Sequence, residues 1–215
     1  MGRVLDFLFP LECLACGAAG SHCCPSCVAE VDLSPKTFQA GTLRAAAAYP
    51  YAIPLVRRLI HDLKYERWTC AAEPIGALAR RWASKDGTSF CGEEAILVPV
   101  PLSIRKSGER GFNQAAMIAD ALAWELGLRR SDKLLARRRE TAPQVSVEDR
   151  AKNLAGAFEA RVPERWRDRP LVLVDDIWTT GSTMQECAAA LRTAGASDIR
   201  GFALAWGSPK PDTDR

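Results

Sequence analysis

Apolar residues crowd into two short runs, Ala-Ile-Leu-Val-Pro-Val-Pro at 95–101 and Leu-Val-Leu-Val at 171–174. Runs of this length without polar alternation predict strands buried on both faces, as inside a parallel sheet. Elsewhere the period changes. Positions 53, 55, 56, 59, 60 and 63 are apolar, and Ala71, Ile75, Leu78, Ala79 and Trp82 share one face of 68–83. Both patterns predict amphipathic helices. Two more helices are expected at 115–126 and 184–194, each following one of the buried runs; alanines, Leu191 and Arg192 favour the second. Weaker patterns predict a strand within 42–50, although alanine prefers helix, a short helix at 145–154 and an edge strand at 158–160. A last strand is expected at 198–206, a loop at 85–93, and a frayed polar tail at the end.

Composition bounds this picture without changing it. A chain of 215 residues, 47% hydrophobic and 26% charged, has the make-up of a soluble globular protein with a real core. No apolar run approaches the roughly 20 residues that span a bilayer, so no membrane insertion is expected. Asp6, Pro10 and Glu12 interrupt what a signal peptide needs as an apolar stretch, which points to the cytoplasm. The net charge of +3 argues for no partner by itself. The cations are nonetheless concentrated in the central third: Arg105, Lys106, Arg110, Arg129, Arg130, Lys133, Arg137, Arg138 and Arg139. They form either a phosphate-steering face or a solvated surface.

The chemistry concentrates after the run at 171–174. Asp175 and Asp176 follow it directly, then Ile177-Trp178, then Thr179-Thr180-Gly181-Ser182-Thr183, then the expected helix. A small hydroxyl-rich turn opening a helix is a phosphate cradle, because backbone N–H groups and the helix dipole both favour an anion there. Two carboxylates at its rim would repel a bare phosphate but accept hydrogen bonds from vicinal hydroxyls. The combination suits a ribose 5-phosphate. The plainer alternative is a buried strand ending in an N-capped helix, which needs one such residue rather than seven in order.

Eight cysteines require their own account. Cys13 and Cys16 form one C-x-x-C pair, Cys24 and Cys27 another, seven residues apart. Two such knuckles supply the four thiolates of a closed tetrahedral zinc site, structural rather than catalytic. The spacing favours Cys24 over Cys23 as ligand, and His22 is expected at the surface. Alternatively the thiols are free and buried, or a redox pair. The strand at 95–101 runs into a basic, glycine-punctuated loop, 102–114, where arginine forks could meet phosphate or pyrophosphate. Lys64 and Arg67, in the turn between the first two helices, are further candidates to reach a phosphate, though their spacing does not require it. His61 is expected to be a structural histidine on an apolar face.

The apolar strand, acidic pair and Thr-Thr-Gly-Ser-Thr turn resemble the fingerprint of type I phosphoribosyltransferases. Val98-Pro99-Val100-Pro101, the stretch from Arg138 through Pro143-Gln144 to Arg150, and the cradle occur in the order seen in amidophosphoribosyltransferase relatives. With Arg110-Gly111-Phe112-Asn113-Gln114 and the four-cysteine knuckle, the chain is most similar to the ComF family, associated with bacterial competence and DNA uptake. The fold so implied is α/β: a type I phosphoribosyltransferase-like parallel sheet flanked by helices, with a small N-terminal zinc-binding module. Its expected limits are 1–40 for the module, 41–207 for the main domain and 208–215 for the tail.

By that resemblance, Asp175 and Asp176 hold ribose hydroxyls, while Thr179, Thr180, Gly181, Ser182 and Thr183 hold the 5-phosphate. Ser103 and Arg105 meet pyrophosphate, the 138–150 loop acts as a hood, and Arg105, Arg138 and Arg150 are the expected catalytic cations. Cys13, Cys16, Cys24 and Cys27 bind structural Zn²⁺, and Mg²⁺ arrives with phosphoribosyl pyrophosphate. Trp178 departs from the family pattern and is expected to shape the acceptor side. No glutaminase is expected. The function implied is a phosphoribosyltransferase-like protein acting in DNA uptake, partnered by single-stranded DNA and another competence protein. The rival is a non-catalytic single-strand-binding adaptor that keeps the cradle as a sensor.

Overall fold

In the computed structural model, residues 11–65, 68–103, 108–109, 111–138 and 156–207 are described. The two apolar runs become neighbouring strands at the centre of a six-stranded sheet. Its strands are β1 (Lys36–Ala40), β2 (Leu43–Pro50), β3 (Ile96–Pro99), β4 (Arg129–Arg130), β7 (Leu171–Trp178) and β8 (Ile199–Trp206), in the order β1-β2-β8-β7-β3-β4. All neighbours are parallel except β1, which pairs antiparallel with β2. The alanine-rich stretch is therefore a strand. Its small side chains, buried at Ala45 to Ala48, let helices approach closely on both faces of the sheet, and that packing overrides alanine's helical preference.

Helices cover both faces. On one face lie α2 (Pro54–Tyr65), α3 (Trp68–Trp82) and α5 (Gln114–Leu126). There Leu59, Leu63, Ile75, Leu78, Ile118 and Leu122 pack on Leu97, Val172, Val174 and Phe202. On the other face α6 (Ser182–Thr193) packs Met184, Cys187, Ala188 and Leu191 against Ile96, Val98, Leu171 and Leu173. Alternate residues of β3 and β7 thus point to opposite cores, as the period-2 geometry of a strand requires. Neither core is exposed, which is why both strands read as unbroken apolar runs.

Three secondary-structure expectations change. The 85–93 segment is not a loop: α3 continues through a π-helical turn, Ala83–Gly87, into α4 (Thr88–Cys91). Its polar residues hid the buried positions Ala83, Gly87, Phe90 and Cys91, which pack inward. The strand at 158–160 does not edge the main sheet. As β6 (Phe158–Ala160) it pairs with β5 (Leu135–Arg137) in a separate hairpin beside α6. Finally, β7 runs on beyond 174 to Trp178, because β8 stays paired with it through Ala203, Ala205 and Trp206. The helix expected at 145–154 lies outside the described residues.

The cysteine segment is docked rather than tethered. Val28, in the short helix α1 (Pro25–Glu30), and Val31 join the α3 core. Arg81 of α3 donates to the carbonyls of Val28, at 3.3 Å, and Val31. His22 corrects its expected surface position. It is 3% exposed, and its Nε2 lies 2.8 Å from Asp62 Oδ2 on α2, a carboxylate that is itself 1% exposed. A buried polar pair of this kind persists only when both members are satisfied. Lys36–Ala40, N-terminal to the domain limit expected at residue 40, is hydrogen-bonded into the main sheet as β1. Among the described residues no helix is long and apolar enough to cross a membrane.

Candidate ligand crevice and metal site

The crevice follows from connectivity. β3 is followed by α5 on one face, and β7 by α6 on the other, so the chain leaves two adjacent strands in opposite directions. In open α/β sheets the gap at the carboxyl ends of such a pair is where ligands bind. Val100 N–H donates to Val174 O at 2.9 Å, which brings the end of β3 against the residue that precedes the acidic pair. Ser103 is buried (3% exposed) just beyond that strand end. Asn113 caps α5 by accepting from Ala115 N at 3.0 Å, and its amide donates to Val100 O at 3.1 Å. Asn113, at the start of α5, is thus joined directly to Val100, just beyond β3.

The cradle opens α6. Gly181 adopts φ +77°, in the left-handed region, and a Cβ there would meet Trp178 Cζ2 at 2.5 Å. Glycine is demanded twice, by backbone conformation and by contact. Trp178 is 5% exposed and stacks on Phe38 of β1, with ring centroids 5.1 Å apart. The indole lies against Gly181 as a floor under the turn, and it also lines the cavity there. Thr180 Oγ1 and Ser182 Oγ lie 2.8 Å apart, and Ser182 N–H donates to Thr180 Oγ1 at 3.4 Å. A shallow cavity of about 30 Å³ is lined by Asp175, Thr179, Gly181, Ser182 and Thr183 among others. A larger one, about 350 Å³, lies between α6 and β6, but its charged lining residues are Glu159 and Glu186. Among its described lining residues the charges are two carboxylates, which repel an anion.

The two acids differ. Asp175 Oδ1 accepts from Asp176 N–H at 2.8 Å. Burial, and then the charge of Asp176, push the Asp175 carboxyl up to about 7; the hydrogen bond and Lys64 oppose this. Asp176 Oδ2 lies 2.6 Å from Lys64 Nζ at the end of α2. Lys64 is the contact that spacing alone did not reveal. It stands one position beyond the buried Leu63, and only the packing of α2 on the sheet brings it to β7. His61, expected on an apolar face, is half exposed and has Nδ1 3.7 Å from Asp62 Oδ1.

Of the other expected site residues, Arg138 sits at the β5–β6 hairpin, with Nε 2.6 Å from Glu159 Oε2, both side chains exposed. Arg105 and Arg150 lie outside the described residues, as does Arg67.

The sulfurs of Cys13, Cys16, Cys24 and Cys27 all lie within 4.8 Å of one another. Cys16 and Cys24 are 3.7 Å apart, and Cys24 N–H points at Cys13 Sγ from 3.4 Å. Backbone N–H groups of Cys24, Cys16 and Ala15 lower the Cys13 thiol to about 5. Hydrogen bonds shared with Cys24 and Cys16 hold Cys27 well above the ordinary thiol range. Four thiolates this close repel one another unless a cation joins them, so the donor set fits a four-sulfur Zn²⁺ site. Cys23 stands apart: burial and the neighbouring Cys13 push it up to about 12, as befits a packed thiol rather than a ligand.

Comparison with known proteins agrees with this geometry. Residues 110–212 match the phosphoribosyl transferase domain model. DNA utilization protein YhgH of Escherichia coli K12 is 32% identical over 204 residues, covering 89% of this chain and 82% of that protein. The chain belongs to the ComF family. This ComF-family chain is also 36% identical over 115 residues to Competence protein F of Haemophilus influenzae, covering 52% and 50% of the two. With Competence protein ComFC of Bacillus subtilis it shares 28% identity over 139 residues, covering 62% and 53%. Its fold is a type I phosphoribosyltransferase fold with an N-terminal four-cysteine cluster.

Proposed function

We propose that the crevice binds phosphoribosyl pyrophosphate with Mg²⁺, and that the protein acts in DNA uptake. The observation that carries the reading is the acidic pair at the end of β7, directly followed by the Thr179–Thr183 turn at a topological switch point. In this reading Asp175 and Asp176 accept the ribose 2- and 3-hydroxyls. The turn, Thr179, Thr180, Gly181, Ser182 and Thr183, takes the 5-phosphate on backbone N–H groups and hydroxyls at the positive end of α6. The pyrophosphate then lies toward the end of β3, near Ser103.

Mg²⁺ suits a site with this little acidic surplus, because it keeps several waters and binds chiefly to substrate phosphates. When bound it neutralises the charge of the pyrophosphate. The chain's own contribution is positioning: hydroxyls and 5-phosphate are held, and the anomeric carbon faces the loop after β3. Arg105 and Arg150 enter the reading as cations on the pyrophosphate, and Arg138 as the root of the hood. Zn²⁺ on Cys13, Cys16, Cys24 and Cys27 is structural, since four thiolates leave no open coordination position. The DNA-uptake role is supported by the names that the relatives carry, a DNA utilization protein and two competence proteins; single-stranded DNA and another competence protein are the partners proposed with it.

Calorimetry with phosphoribosyl pyrophosphate and Mg²⁺ tests the ligand. Binding to the wild type, abolished in Asp175→Ala/Asp176→Ala, is the expected result; no heat from the wild type would overturn the assignment. Single-strand binding that falls with salt and survives in the double variant would instead support the adaptor reading.

A further inference from the structure

Lys64 occupies a position that the ribose-binding reading leaves unexplained. Its Nζ lies 2.6 Å from Asp176 Oδ2, with the lysine side chain 21% and the aspartate 14% exposed. An ion pair on the open surface contributes little, since water and salt screen it. This one is four-fifths covered, and a second carboxylate stands beside it. Asp175 has Asp176 on its own strand, Lys64 from α2, and Cys187 on α6, with Glu186 and Arg137 acting on that thiol from beyond. Among the described residues, Lys64 is the cation that pairs with Asp176 and draws the Asp175 carboxyl down.

The lysine is also held from behind. Two residues earlier on α2, buried Asp62 accepts from Arg58 Nε at 2.9 Å and meets His22 Nε2 at 2.8 Å. Ile60 and Leu63 are buried in the core on either side of Asp62. The last turn of α2 is therefore pinned both to the sheet and to the cysteine module, and Lys64 extends from a fixed base.

We infer that Lys64 is a positioning residue of the crevice: it holds Asp176 in place and offsets the charge of the acidic pair, so that a polyanionic sugar ester is accepted beside two carboxylates. This rests on the sugar-phosphate reading above. Without the ammonium, two like charges would face a ligand of the same sign. The carboxylate could then lower its energy by turning to solvent or by taking up a proton. Neither state accepts a ribose hydroxyl as well.

The test is calorimetry on the full chain with phosphoribosyl pyrophosphate and Mg²⁺, and separately with ribose 5-phosphate, from pH 6 to 9. Wild type, Lys64→Met and Lys64→Arg are compared at matched zinc content. Lys64→Met is expected to weaken both ligands by a similar factor, roughly tenfold or more, as removal of one member of a covered charge pair does. Lys64→Arg should restore most of that affinity. The midpoint of the pH dependence should move upward in Lys64→Met, because Asp175 loses its stabilising cation. Titration of the ligand's own phosphate is common to all variants and cancels. Lys64→Gln carries the comparison should the methionine variant not fold.

If the wild type binds neither ligand, the sugar-phosphate reading itself fails. If the wild type binds and Lys64→Met binds within about threefold of it, that reading stands and the role of Lys64 is refuted. Loss confined to phosphoribosyl pyrophosphate would mean direct contact with pyrophosphate, which also overturns the inference. So would an unmoved pH midpoint, the result expected of a merely structural anchor.

Discussion

Gly181→Ala is the sharpest perturbation of the cradle, because two separate costs meet at one atom. A non-glycine residue at φ +77° costs roughly 1–2 kcal/mol relative to the right-handed region. The added methyl would also sit 2.5 Å from Trp178 Cζ2 and 2.6 Å from Cη2, distances at which something must move. The indole cannot yield cheaply, since it is buried and stacked on Phe38. Overpacking of this kind costs roughly 1–3 kcal/mol, so the sum is about 2–5 kcal/mol. A domain of this size has roughly 5–15 kcal/mol in hand, so the loss is a large and measurable fraction of its stability. Equilibrium urea unfolding should show the loss, with the m-value unchanged. Repeating the substitution in a Trp178→Leu background separates the costs, since only the contact term disappears. The penalty should shrink by roughly 1–3 kcal/mol there. Penalties that agree within about 0.5 kcal/mol in the two backgrounds would show that the indole does not dictate the glycine.

Two further outcomes follow from the same structure. Because Asp175 is raised to about 7 in the folded chain, it binds a proton there that the unfolded chain, with an ordinary carboxyl, has released. Stability of the ligand-free protein should therefore fall as pH rises from about 4 to 7. Asp175→Asn removes this loss, so its melting temperature should match wild type near pH 4 and exceed it at pH 8; a constant difference across that range would contradict the burial argument. For the cysteine cluster, metal analysis should find about one Zn²⁺ per chain. Cys16→Ser, or a strong chelator, should lower the melting temperature and free the segment around Cys24 to proteolysis; a zinc-free chain that melts like wild type would remove the metal from the account.

Much of this was legible in one dimension. Unbroken runs at 95–101 and 171–174 announced strands buried on both faces, because no side chain in them needed water. The spacing of Cys13, Cys16, Cys24 and Cys27 announced a four-sulfur cluster, because each short turn converges two thiols. The order of Asp175, Asp176 and the hydroxyl-rich turn announced where these residues lie, since a strand followed by a helix necessarily places the intervening residues at the sheet's carboxyl edge. These are local consequences of bond geometry and period, and they need no partner from elsewhere in the chain.

Contacts between distant residues were decided only by the packed structure. His22 became buried because Asp62, 40 residues away, arrived on α2 to satisfy it. Trp178 became the floor of the cradle because β1 brought Phe38 beneath the sheet's edge. Lys64 reached Asp176 because α2 packs on the face from which β7 presents that carboxylate. The segment at 83–91 became helical because its few apolar residues found a core, against the solvent preference of the rest. In each case the residue's own neighbours in sequence left several environments open. The one adopted depends on the free energy of burial and pairing across the sheet, a quantity that exists only once both partners have been brought together.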